Sequence, residues 1–177
     1  MKKVIEASVI FVIILTSVVY TNDAEVEPKK AEPEILHTSS VKDEGFCPYE
    51  YLTDVCNRYG VDTDDMLALI KIESNFNPDL ISTTNDYGLT QINVCNHERL
   101  RKELGVTDFL DPKQNIECGV YLIAELQEKY REENFNKTLM RYNLGEAGAK
   151  RLFNKGIFET HYTKKHKIAL ENKDWGW

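Results

Sequence analysis

From Phe46 onward, apolar residues recur mostly at helical spacing. In PYEYLTDVCNRYG, Leu52, Val55, Cys56 and Tyr59 fall at i, i+3, i+4 and i+7, with Pro48 opening the segment and Gly60 closing it, which predicts a helix. DTDDMLALIKIESNF predicts a second, begun by a capping Asp62 or Thr63 with acids in its first turn. A third runs from Asn96 through Leu104 and is ended by Gly105. The longest, DPKQNIECGVYLIAELQEKY, is entered through Pro112; Ile116, Val120 and Ile123 form its stripe, and Leu122, Leu126 and Tyr130 broaden it. A short helix is expected around Thr138 to Asn143, with one or two more toward the C-terminus. Alternating β-type runs are scarce, so the expected fold class is mainly α with at most a small β-hairpin near residues 82 to 93.

The N-terminus follows a different pattern. After Lys2 and Lys3, the stretch from Ala7 to Tyr20 carries no charge, as in an export h-region, and it is a little short for a comfortable membrane span. Its flank offers only a poor small-x-small cleavage site, ending at Ala24. Residues 1–21 are therefore read as a signal peptide or an uncleaved membrane anchor. That implies export to the cell envelope, secreted or anchored, with membrane contact only through this segment. Residues 22–45, rich in Glu, Lys, Pro and Ser, read as a flexible linker, because they hold too few large apolar residues to fold alone. The compact domain spans 46–177.

Composition narrows the function. The 177 residues fit one ordinary domain plus an appendage, and 42% apolar content suffices for a packed core. A net charge of −7 argues against a nucleic-acid binder, which needs cationic contacts to phosphates. The basic run around Lys150, Arg151, Lys155, Lys164, Lys165 and Lys167 reads as a solvated face. Four cysteines, Cys47, Cys56, Cys95 and Cys118, lie in the compact domain. In an exported chain an even count favours disulfides, and no C-x-x-C or His-x-x-x-His spacing supports a metal site, so no cofactor is expected. On one helix, Cys47 and Cys56 would sit about 13 Å apart at the usual rise, beyond the roughly 7 Å a bridge tolerates. If two bridges form, they pair 47–95 with 56–118, or 47–118 with 56–95; free thiols are the alternative.

One position breaks the apolar stripe of the second helix. Met66, Leu69 and Ile70 are followed at i+7 by Glu73. A carboxyl placed where a core leucine belongs is either a structural group satisfied by buried partners or one exposed in a cleft that the core opens into, and in both cases it is partly desolvated. Desolvation raises its pKa, as a general acid near neutral pH requires.

The segments ALIKIESNFNPDLIS and GLTQIN, then NIECGVYLIAEL and MRYNLGEAG, resemble the catalytic domain of lytic transglycosylases, a goose-lysozyme-like family that cleaves peptidoglycan. The likeness runs from about Tyr51 to Tyr162, with four motifs in the family's order. It implies a lysozyme-like fold and a peptidoglycan glycan strand as the partner. It also implies that Glu73 is the catalytic acid and then base, that Ser82, Gly88 and Gln91 line the glycan cleft, and that Tyr142 and Asn143 form the Tyr-Asn pair, with the tyrosine hydroxyl beside the catalytic carboxyl. The chain departs from the pattern at Thr90, where many members have methionine, at Val94-Cys95, where proline often stands, and at Arg141, where a small residue usually precedes the tyrosine.

By that resemblance, the bond between N-acetylmuramic acid and N-acetylglucosamine is broken without water and leaves a 1,6-anhydro ring. ESNFN and DYGLTQIN also resemble animal-type lysozymes, in which the Asp before Tyr-Gly is a second catalytic carboxylate; here that is Asp86. The thirteen-residue spacing from Glu73 to Asp86 leaves less room than those lysozymes have between their two acids. Three functions therefore stand: a transglycosylase, a muramidase using Glu73 with Asp86, and a catalytically weak peptidoglycan-binding or scaffold protein. An envelope-spanning secretion, conjugation or phage assembly is a further possible partner.

Overall fold

The computed structural model describes residues 47–131 and 134–175. The expected export or anchor segment and the linker lie outside the described residues. Among those described, no helix is long and apolar enough to cross a membrane.

The order of elements is α1 (Pro48–Tyr59), α2 (Thr63–Ser74), β1 (Asp86–Tyr87), β2 (Ile92–Asn93), a 3-10 turn (Val94–Asn96), α3 (His97–Leu104), α4 (Pro112–Tyr130), α5 (Phe135–Phe153) and α6 (His161–Asn172). The fold is mainly α, and the strands form one antiparallel hairpin pairing Asp86 with Asn93 and Tyr87 with Ile92.

Local chemistry sets the boundaries. Asp62 caps α2 by accepting from the Asp65 amide, Asp111 caps α4 by accepting from the Gln114 amide, and Thr160 and Thr163 form a capping box on α6. Gly60 and Gly105 end α1 and α3 in the left-handed conformation. The short helix expected around Thr138 to Asn143 is longer than the sequence suggests: α5 spans 19 residues, broken at Gly145 (φ 67°, ψ 163°). The broken turn exposes Asn143 and Gly145, which hides the apolar stripe from a periodicity reading.

Two apolar clusters form the core. The larger packs Leu52, Val55 and Cys56 of α1 against Met66, Leu69 and Ile70 of α2 and Ile116, Val120 and Ile123 of α4. Each fully buried aliphatic side chain of this kind contributes about 2 kcal/mol of transfer free energy. The smaller joins Ile92, Leu100, Phe109 and Cys118 beneath the hairpin. The six cationic side chains of the basic run are exposed, as a solvated face requires.

All four cysteines are free thiols, so the expected bridges are absent. Cys56 and Cys118 are buried in different clusters, whereas Cys47, at the N-cap of α1, and Cys95, in the 3-10 turn, are exposed. The geometric argument against Cys47 pairing with Cys56 stands; packing separates the buried pair as well.

Candidate active site

The last turn of α2 opens into a cleft of about 960 Å³, lined by Glu73, by Asp86, Gln91 and Asn93 of the hairpin, and by Tyr142 and Asn143 of α5. The outer walls come from α3, through Arg99, and from α4, through Leu122, Glu125, Leu126 and Lys129. Those α4 residues are spaced i, i+3, i+4 and i+7, so one helix face forms the wall. Ion pairs brace it on both flanks: Arg99 binds Glu125 at 2.9 Å, and Lys129 binds Glu146 at 2.7 Å.

Glu73 continues the Met66, Leu69, Ile70 stripe beyond the edge of the core. Burial pushes its carboxyl up to about 7; a hydrogen bond from Tyr162 works in the opposite direction, and the nearby charge of Asp86 adds to the rise. The Tyr162 hydroxyl donates to Glu73 Oε1 at 2.5 Å, across 89 residues of sequence. Asp86 is the reverse case. Ser82 donates to its Oδ2 at 2.6 Å, Thr84 donates to the same oxygen, and Asn93 donates to Oδ1 at 2.6 Å. Desolvation acts against them, yet together the three donors hold this carboxyl below its ordinary value. The two acids of one cleft are thus pushed apart in pKa by their surroundings.

Glu73, Asp86, Gln91, Tyr142 and Asn143 converge on the cleft; Ser82 and Gly88 are not among its lining residues. Ser82 organises the turn before β1, where its hydroxyl also accepts from the Asp86 amide at 3.0 Å. Gly88 has φ +71°, and a Cβ there would meet Asn115 Nδ2 at 2.5 Å and the Phe109 carbonyl at 2.8 Å, so glycine is required on two independent counts. The Gln91 amide is turned back on its own loop, donating to the Gly88 carbonyl at 2.8 Å and the Leu80 carbonyl at 3.2 Å. The Tyr142 hydroxyl donates to the Thr90 carbonyl at 2.7 Å. The tyrosine that hydrogen-bonds Glu73 is therefore Tyr162.

Beneath this loop lies a buried amide that motif reading passes over. Asn115 accepts from the Thr90 amide and the Thr90 hydroxyl, each at 2.8 Å, and donates to the Tyr87 carbonyl at 2.8 Å and the Phe109 carbonyl at 2.7 Å. All four hydrogen-bonding positions of its amide are filled. This explains the departure at Thr90: the hydroxyl completes the Asn115 set, and the side chain packs so tightly on Gly119 that a Cβ there would lie 2.5 Å from it. Among the described residues, no group of three or more His, Cys, Asp or Glu side chains is placed to hold a metal ion.

A mainly helical domain with a carboxyl at the end of a core helix, facing a cleft walled by a short hairpin and a long helix, is a lysozyme-like domain. Residues 50–162 match the family described as transglycosylase SLT domain, and the chain belongs to that family. It is 28% identical over 134 residues to membrane-bound lytic murein transglycosylase C of Histophilus somni (strain 2336), covering 68% of this chain and 36% of that protein. It is 35% identical over 94 residues to membrane-bound lytic murein transglycosylase F of Desulfosudis oleivorans, covering 50% of this chain and 20% of that protein. The chain thus spans about a third or less of the relatives it matches. The fold is similar to that of an inactive mutant of lytic transglycosylase Slt from Pseudomonas aeruginosa, with a TM-score of 0.57 at 14% identity over 70% of this chain and 24% of that one. It is also similar to the 70 kDa soluble lytic transglycosylase of Escherichia coli, with a TM-score of 0.51 at 19% identity over 65% of this chain and 22% of that one.

Proposed function

We propose that this chain is a peptidoglycan lytic transglycosylase acting on the β-1,4 bond between N-acetylmuramic acid and N-acetylglucosamine, with Glu73 as its acid and base. The observation that carries this reading is the state of Glu73. Its carboxyl is desolvated, faces a glycan-sized cleft and is pushed up to about 7, so much of it carries a proton at neutral pH.

Protonated Glu73 gives its proton to the glycosidic oxygen as the bond from C1 of the muramoyl residue breaks, and the substrate's own N-acetyl group stabilises the anomeric centre. The carboxylate so formed accepts the proton of the muramoyl 6-hydroxyl as that oxygen bonds to C1. The product is a 1,6-anhydro end, no water is consumed, and Glu73 finishes protonated as it began. Tyr162 stabilises the carboxylate between the two transfers through its hydroxyl. Gln91, Tyr142 and Asn143 shape the cleft around the sugar, while Ser82 and Gly88 support that wall from behind.

A second reading has its own support. Asp86 lines the same cleft and is held ionised by three side-chain donors, as the second carboxylate of a hydrolytic muramidase would be. Product masses separate the two. Purified sacculi treated with the protein should release fragments with 1,6-anhydromuramic ends; reducing ends, heavier by one water, would overturn the transglycosylase reading in favour of hydrolysis. Glu73→Gln should keep sacculus binding and lose fragment release. Release at the native rate from that variant would refute the role given to Glu73. If the native protein binds sacculi and releases nothing, it is a binding or scaffold protein. The relatives' printed names describe membrane-bound murein enzymes, which supports a place in the cell envelope, at the membrane or beyond it.

A further inference from the structure

Helix α6 supplies Tyr162 to Glu73, and it holds its place on α2 through a second polar contact one turn further on. His166 is buried, 3% exposed, in the interface between these helices. Its Nε2 lies 2.9 Å from the main-chain carbonyl of Asp65 and 3.8 Å from that residue's carboxylate. A carbonyl only accepts, so Nε2 carries the hydrogen and donates. Phe135 of α5 packs on the imidazole with ring centroids 5.6 Å apart, which confines the ring from a third helix.

The spacing along the two helices links these contacts. Tyr162 and His166 are i and i+4 on α6 and share a face. Asp65 and Glu73 stand eight residues apart on α2, about 12 Å along its axis, whereas Tyr162 and His166 are only about 6 Å apart. The tyrosine covers the difference because long helical side chains lean toward the N-terminus of their own helix, here toward Glu73. Apolar packing alone allows small slides along a helix pair, but a hydrogen bond at 2.5 Å does not survive a slide of about 1 Å. The end contacts of α6 hold less firmly. The capping box sits within α6's own first turn, and Lys173, which pairs with Asp64 at 2.6 Å, is mostly exposed.

We propose that His166 is a positioning residue for the cleft carboxyl: its imidazole fixes the register of α6 on α2 and so keeps the Tyr162 hydroxyl on Glu73. The significance for catalysis rests on the transglycosylase reading; the contact itself does not. Tyr162 of α6, Tyr142 of α5 and Asp86 of β1 face Glu73. Asp65 of α2, with Asp62 and Asp64 in the same turn, faces His166, and Phe135 from α5 is uncharged. Burial disfavours the charged imidazole and holds it below its ordinary pKa, in keeping with a ring that acts through its N–H rather than through a charge.

The test follows the Glu73 carboxyl by 13C NMR in protein labelled at the glutamate side-chain carboxyl carbon. Tyr162→Phe should raise the Glu73 midpoint by about one pH unit, because a donor to the ionised form is lost. His166→Leu, which fills the space without a donor, should raise it by at least half as much. His166→Gln, which offers an amide N–H at similar reach, should bring it back. A native midpoint in His166→Leu, or failure of His166→Gln to restore it, overturns the proposal. Thermal melts confirm folding. If His166→Leu fails to fold, His166→Asn, one methylene short of the Asp65 carbonyl, takes its place with the same expectation. The titration needs no substrate, so it decides the role of His166 even if the native protein releases nothing from sacculi.

Discussion

A desolvated acid at the end of a core helix weakens the fold that holds it, and at Glu73 the size of that effect follows from the structure. The carboxyl moves from an ordinary 4.5 to about 7 on folding. The folded state therefore holds this proton more tightly than the unfolded chain does. The stability associated with the neutral carboxyl is fully present below about pH 4.5, falls as pH rises through 7, and is absent above that. The difference is worth about 3 kcal/mol at alkaline pH. Glu73→Gln removes the titration while keeping a side-chain oxygen that can accept from Tyr162. Native protein and variant should therefore melt at nearly the same temperature at pH 4.5, and the variant should melt about 10 °C higher at pH 8.5. Every other titrating group is common to both proteins, Asp65 included, which burial and the neighbouring Asp62 and Asp64 push up to about 6. Thermal melts followed by circular dichroism across this range give the comparison directly. A melting difference that stays constant with pH would refute the reasoning, since it would mean that Glu73 titrates alike in folded and unfolded chains.

Asn115→Ala strands the Thr90 amide and the Tyr87 and Phe109 carbonyls beneath the cleft loop, while the Thr90 hydroxyl keeps the Asn115 main-chain carbonyl, and should cost about 3 kcal/mol, read as a lowered urea midpoint; a loss under about 1 kcal/mol would show that the loop does not depend on this hub. Cys47 and Cys95 should react with an aromatic disulfide reagent in the native protein, whereas Cys56 and Cys118, buried and pushed up to about 11 and about 12, should react only on unfolding. Asp86→Asn removes a charge that helps keep Glu73 protonated, so the alkaline limb of the cleavage profile should move to lower pH with much of the rate retained. Complete loss of cleavage would assign Asp86 to the chemistry and favour the muramidase reading.

Much of this architecture is legible in the sequence because the relevant signals are local. Pro48, Asp62, Gly105 and Pro112 mark real helix boundaries, and the stripe that ends in Glu73 follows from spacing alone. The hairpin is short but stands where DYGLTQIN places it. What escapes is long-range. Tyr162 reaches Glu73 from 89 residues away, and neither partner signals the other in a local pattern. Asn115 looks like an ordinary polar residue in the first turn of a helix, yet it is fully buried because Gly88 lets the loop approach it closely. The cysteine expectation fails for a related reason. An even count constrains the number of possible bridges, but only packing decides which core cluster each thiol enters.

The surroundings of Asp86 bear on which chemistry the cleft favours. An attacking carboxylate needs an oxygen lone pair free and aimed at the anomeric carbon, and a general base needs one aimed at water. Oδ2 of Asp86 already accepts from Ser82 and Thr84, whereas Oδ1 accepts from Asn93 of β2 alone and keeps a lone pair, so most but not all of its acceptor positions are turned toward the hairpin. Those donors keep the group ionised and at the same time weaken it as a nucleophile or base. Its charge remains. That charge adds to the burial that keeps a proton on Glu73, and in the proposed reaction it would favour positive charge developing at the anomeric centre. An acid whose field acts on Glu73 while most of its acceptor positions are filled is in keeping with the one-carboxylate mechanism proposed above, in which the substrate's N-acetyl group and 6-hydroxyl would take the part of a second carboxylate.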